Sequence, residues 1–113
     1  MQLNDYGRQA IGTMLSTHDF GEVDPALMAS VLGLVGESGE VAEKFKKIIR
    51  DKSGQLNEAD RAELVKELGD ILWYINAVAE KIGSNLEAVA QANLDKIHSR
   101  VARGTQHGDG DNR

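Results

Sequence analysis

Apolar residues recur at helical spacing through most of the chain and divide into four runs. Leu3, Tyr6, Ala10, Ile11, Met14 and Leu15 predict a first helix over residues 3–17. Gly7 and Gly12 interrupt it, each costing about 1 kcal/mol relative to Ala in a helix interior. Thr17 to Val23 reads as a connector, within which His18 is expected as a solvated loop residue. Asp24-Pro25 is a helix start, with Asp as N-cap and Pro in the first turn. Met28, Val31, Leu32, Val35, Ala42, Phe45 and Ile49 then mark one stripe of a second helix over 25–52. Ser53-Gly54 stops it, and Asn57 caps a third helix whose first turn carries Glu58 and Asp60. In that helix Leu64, Leu68, Ile71, Ile75, Val78 and Ile82 are spaced by four and three, the pattern of an antiparallel bundle seam. Trp73 and Ala77 fall off this stripe and leave a second face for burial against a partner chain. Gly83 ends the third helix, and Ser84-Asn85-Leu86-Glu87 reads as a capping box for a fourth. Leu86, Val89, Ala90, Asn93, Leu94 and Ile97 carry that helix to about Val101. With no strand pattern and no repeat, the expectation is a single all-α domain, a four-helix bundle over residues 1–103. A flexible glycine-rich tail, 104–113, follows it.

Composition narrows the class. A chain of 113 residues that is 41% apolar supports one modest core, and helical domains of this size commonly bury further surface against another copy, so a homodimer or homotetramer is expected. Cysteine is absent, which excludes disulfides, zinc-thiolate sites and a cysteine nucleophile. No apolar run approaches the length of a membrane span, and Met1 to Asp5 lacks the regions of a signal peptide, so a soluble cytoplasmic protein is expected. The net charge of −5, from 18 acidic and 13 basic residues, argues against binding to a nucleic-acid polymer through a broad basic surface.

Within that frame one constellation carries chemistry. Gly36-Glu37-Ser38-Gly39-Glu40 and Glu67-Leu68-Gly69-Asp70 each place two carboxylates three residues apart, on one face of a helix. Both pairs are expected beside the apolar stripes, at the edge of the inter-helix seam. Four acids gathered there repel one another unless cations intervene. An all-oxygen donor set favours Mg²⁺, with Mn²⁺ as a substitute, over zinc. The competing reading pairs these acids with Lys44, Lys46, Lys47, Lys66 and Arg50 on a solvated surface. A di-iron bundle would need a Glu-x-x-His on each of two helices, and the nearest match is Asp95-x-x-His98. Gly33, Gly36 and Gly39, at intervals of three, weaken the second helix by propensity. They point either to close helix packing or to clearance for a ligand beside Glu37 and Glu40.

The segments Leu32 to Glu43, Glu67 to Tyr74, and Asn93-Leu94-Asp95-Lys96 followed by Arg100 resemble the MazG family of all-α nucleoside triphosphate pyrophosphohydrolases. That superfamily is marked by E-x-x-E, a spacer and E-x-x-D; where many members carry a further acid before the first glutamate, this chain has Gly36. The resemblance implies Mg²⁺-dependent hydrolysis of a nucleoside triphosphate between its α and β phosphates, releasing a monophosphate and pyrophosphate. A role in clearing non-standard or surplus nucleotides would follow. Glu37, Glu40, Glu67 and Asp70 would hold the metal, and one of the glutamates would take a proton from the attacking water. Tyr74, one turn beyond Asp70, would contact sugar or base, and Asn93, Lys96 and Arg100 form a polar stripe suited to phosphate oxygens. Arg103, Lys47 and Arg113 complete the cationic candidates, and the tail's glycines suggest a flap closing over substrate. The alternative is a helical module that senses nucleotides or docks a partner without catalysis.

Overall fold

The structure, a computed structural model, describes residues 1–15, 18–105 and 107–113. Four helices account for the regular elements among them, as the periodicity predicts: α1 (Leu3–Ile11), α2 (Pro25–Lys52), α3 (Glu58–Lys81) and α4 (Leu86–Arg103). No strand occurs among the described residues. The boundaries follow local chemistry. Asp24 accepts the Leu27 amide at the start of α2, and Asn57 accepts the Asp60 amide at the start of α3. The second helix ends on Ser53 and Gly54, both with positive φ, and α4 ends on Gly104 with φ 69°. Two boundaries differ from expectation. The cap of α4 is Asn85, whose side chain accepts from Ala88, and not a Ser84–Glu87 box. The first helix stops at Ile11, because the chain turns at Gly12 and the Thr13 hydroxyl donates to the Ala10 carbonyl. Ser16 and Thr17, the end of its predicted span, lie outside the described residues. His18 is exposed, as expected of a loop residue.

The organising unit is the antiparallel pair α2–α3, clamped at both ends by ion pairs. Lys52 Nζ donates to Asp60 at 2.6 Å beside the connecting loop, and Lys81 Nζ donates to Asp24 at 2.6 Å at the far end. Among the described residues, α4 packs on α3 alone, and α1 packs on none of the other helices.

The face that α2 turns to α3 is not the stripe chosen by periodicity. Since α3 is the helix that α2 packs on, burial on α2 reports that contact. The covered positions include Leu27, Val31, Leu34, Glu37, Val41, Lys44 and Ile48; of the predicted stripe Met28 and Val31 are covered, while Leu32, Val35, Ala42, Phe45 and Ile49 are exposed. On α3 the seam runs through Leu64, Glu67, Ile71, Ile75 and Val78, whereas Leu68 and Ile82 face outward. Both helices are apolar on two faces, and the pattern alone cannot rank one above the other. Side chains less than a tenth exposed are few among the described residues: Leu27, Ile48, Leu64, Ala79 and, on α4, Arg100. No helix is long and apolar enough to cross a membrane among the described residues.

Candidate active site

The corrected seam changes where the acids sit. Glu37 and Glu67 occupy seam positions halfway along the α2–α3 pair, partly covered, and Asp70 and Glu40 lie exposed at its edge. Ligand oxygens of Glu37, Glu67 and Asp70 all lie within 4.8 Å of one another. Glu40 is not part of that trio. It lies one turn along α2, near enough for its charge to bear on Glu37.

Electrostatics follow from the placement. Burial against the seam, then the charges of Asp70, Glu67 and Glu40, push the Glu37 carboxyl above the ordinary carboxylate range. Lys44, also on the seam and two turns beyond Glu37, is the cation that answers the trio, with its Nζ 3.6 Å from Glu67 Oε1. The other basic residues of the solvated-surface reading are engaged elsewhere. Lys46 and Lys47 pair with Glu43, Lys66 with Glu63, and Arg50 with Asp51. Three carboxylates facing one ammonium leave an excess of negative charge, and the donors are all oxygen, which suits a hard divalent cation. Among the described residues, Glu37, Glu67 and Asp70 form a group that could hold one.

Beside the trio is an open cleft of about 340 Å³ lined by Glu37, Asp70, Trp73 and Tyr74. The Tyr74 ring meets Trp73 edge-on, with centroids 5.0 Å apart and planes at 82°. The same ring settles part of the glycine puzzle. A Cβ on Gly33 would overlap the Tyr74 ring, so that glycine serves close packing. Gly36 and Gly39 have nothing within 4 Å of a Cβ added to either, and their face of α2 is open.

The cationic candidates divide between two places. Lys47 lies along α2 from the trio, in a hollow it shares with Lys44, Asp51, Lys52, Asp60 and Glu63. On α4, Asn93 lines a shallow hollow with Val89, Ala92 and Lys96. Lys96, Arg100 and Arg103 all reach residues 110–113, which fold back along the helix, with Lys96 Nζ 3.1 Å from Asp111 Oδ1. Arg113 lies in that same segment, donating to the Gly110 carbonyl. Two participants are absent from the sequence reading of the site, and Lys44 enters that reading only as an ion-pair partner of the acids, as it is found with Glu67. Trp73 leaves the predicted stripe, which points it to a partner face. Lys44 carried a signal in its spacing of seven from Glu37. Asp111 carried none, since nothing in a glycine-rich tail says which residue α4 meets.

The family description "MazG nucleotide pyrophosphohydrolase domain" matches residues 27–104, which take in the acid trio, the aromatic cleft and the stripe on α4. The chain belongs to the MazG family. A relative in Mycobacterium phage L5, named Gene 37 protein, is 49% identical over 82 residues, covering 73% of this chain and 72% of the phage protein. No solved structure matches. The matched MazG region begins at Leu27, the first covered residue of the α2 seam, and ends at Gly104, the cap of α4. The first helix, Leu3–Ile11, which among the described residues packs on none of the other helices, lies outside it.

Proposed function

We propose that this MazG protein is a Mg²⁺-dependent pyrophosphohydrolase of nucleoside triphosphates, cleaving between the α and β phosphates and acting on the cytoplasmic nucleotide pool. The observation that carries the reading is the convergence of Glu37, Glu67 and Asp70 beside the Trp73–Tyr74 cleft. Those three carboxylates would hold the metal, for which Mn²⁺ could substitute, and the ion would supply neutralisation of phosphate charge and a more acidic water. Glu40, outside the trio and exposed, keeps a free carboxylate within a turn of it and accepts the water's proton. Trp73 and Tyr74 offer apolar faces to base or sugar. Asn93, Lys96 and Arg100, with Arg103, present donors to phosphate oxygens. Lys47, paired with Glu43, serves at most the outer end of the triphosphate.

A second copy of the chain belongs to the same proposal. Leu32, Val35 and Ile49 of α2 and Val65, Leu68 and Leu72 of α3 are exposed, Val35 at 65% and Val65 at 68%. The radius of gyration is 19.9 Å, against about 13 Å for a compact chain of this length. A homodimer or homotetramer that covers this outward face resolves both features.

The test is pyrophosphate release from a panel of nucleoside triphosphates with Mg²⁺, comparing wild type with Glu40→Gln and Asp70→Asn. Both variants are expected to lose turnover, Glu40→Gln by about 10²–10⁴-fold as for loss of a general base. Rates equal to wild type in both would reject the site. An inactive wild type whose melting temperature rises with nucleotide would favour a binding module.

A further inference from the structure

Residues 107–113 fold back on α4, and what they hold there is the cationic stripe. Arg100 is 8% exposed, the one charged side chain among the described residues buried to that degree. Its Nη2 donates to the carbonyl oxygens of Gly110 at 3.3 Å and Asp111 at 2.8 Å, and Asp111 Oδ1 lies 3.5 Å away. Lys96 Nζ donates to the same Oδ1 at 3.1 Å. Arg103 Nη2 donates to the main-chain oxygen of Arg113 at 2.8 Å. The reversal of direction uses Gly108 and Gly110 at φ 131° and 81°, conformations that side-chain-bearing residues rarely adopt.

Two details show that this grip imitates a ligand and falls short of one. A single carboxylate oxygen lies between an ammonium and a guanidinium, as a phosphate oxygen would. The Arg100 Nε is buried and has no hydrogen-bond partner among the described residues. A guanidinium presents Nε and Nη as a parallel fork matched to two oxygens of one anion. The tail fills one prong, with carbonyls for the most part, and leaves the other desolvated and unsatisfied, a costly state for a buried donor. A phosphate group has the oxygens to fill both prongs and still reach Lys96.

We propose that residues 107–113 form an internal latch in which Asp111 stands in for a phosphate on Lys96 and Arg100, and that a phosphate-bearing ligand binds by displacing it. The proposal rests on the reading that this stripe of α4 receives phosphate, and it adds that the stripe is self-occupied. A lid and a latch make opposite predictions. Loss of the Asp111 carboxylate weakens binding if the tail closes over the ligand and strengthens it if the tail competes.

The full chain is titrated with inorganic tripolyphosphate in metal-free buffer, so that the carboxylate trio contributes no metal bridge. Wild type is compared with Asp111→Ala, Asp109→Ala and Arg100→Ala. Asp111→Ala is expected to bind about two- to five-fold more tightly, since the carboxylate it removes pairs with Lys96 and Arg100 from an exposed position, where such pairs are weak. Asp109→Ala, the same charge change on the same segment, is expected to leave affinity unchanged, and Arg100→Ala to lose binding. Asp111→Ala binding no better than wild type, or Asp109→Ala gaining as much, overturns the latch. Arg100→Ala binding as wild type does overturns instead the assignment of phosphate to α4, and absence of binding by wild type and Asp111→Ala alike overturns both. Asp111 is 82% exposed, so folding is not at issue in its variant. As a second readout, the amide resonances of Gly108 and Gly110 are expected to sharpen and shift toward random-coil values when tripolyphosphate is added. Resonances that stay put in the bound state overturn the latch.

Discussion

Gly33 and Gly36 are the same residue type three positions apart, with opposite consequences. A methyl at Gly33 overlaps the Tyr74 ring, and overpacking of this kind costs about 1–3 kcal/mol, against about 1 kcal/mol gained in helix propensity. Gly33→Ala is therefore expected to lower the midpoint of chemical denaturation and to disturb the Tyr74 side of the cleft. A methyl at Gly36 meets nothing within 4 Å, so Gly36→Ala should raise the stability of the isolated chain by up to about 1 kcal/mol in the same measurement. The sequence could place both glycines on one helix but could not tell clearance from contact, because that depends on which side chain crosses from α3. The same limit applies to the acids. Spacing puts Glu37 and Glu40, and Glu67 and Asp70, onto common faces, yet the rotation of each helix about its own axis decides which acid of a pair enters the seam. The rotation of α2 brings in Glu37 and leaves Glu40 outside the trio, and that of α3 brings in Glu67 with Asp70 at the edge.

At the scale of elements, helix ends were the most legible feature, since a cap is a contract between residues three apart. Asp24, Asn57, the Ser53-Gly54 stop and Gly83, which follows the Ile82 cap of α3, all lie where the chain's own chemistry puts them. The α4 cap was misplaced by one residue because Ser84 and Asn85 are both competent, and only the backbone path after Gly83 chooses between them. Asn85→Ala is expected to cost about 1 kcal/mol, seen as a fall of about 4–8 °C in melting temperature for a chain of this size. The ion pair joining the two helix ends gives a pH dependence. Lys81, then the Leu27 amide, holds the Asp24 carboxyl below the usual carboxylate range. A carboxyl whose pKa is lower folded than unfolded binds fewer protons in the native state. Its contribution is therefore complete above the unfolded value, near 3.8, and disappears as pH falls below it. Lys81→Met is expected to flatten that limb of the stability–pH curve between about pH 5 and 2 and to change little of its slope at neutral pH.

For the whole molecule, four helices and a metal-suited acid cluster could be read from the sequence, but the shape could not. An isolated chain with two apolar faces on each of α2 and α3 gives no sign of which is satisfied internally. The structure buries one and exposes the other. Under the proposed assembly, Val35→Arg places a charge in the middle of the outward face and is expected to convert the oligomer to monomer in sedimentation or light scattering, with loss of activity. An oligomer undisturbed by that charge would mean that the interface lies elsewhere. Under the proposed metal site, the polar interruption of the seam at Glu37 and Glu67 bears on stability as well as on catalysis. A chain whose least comfortable layer also held the ion would be stabilised by mass action, by about 2.7 kcal/mol when free ion stands at 100 times its dissociation constant. Chelation should then lower the melting temperature as a core mutation would. Glu37→Gln should melt at nearly the same temperature with and without Mg²⁺, which makes the supply of divalent ion a determinant of how much folded protein a cell holds.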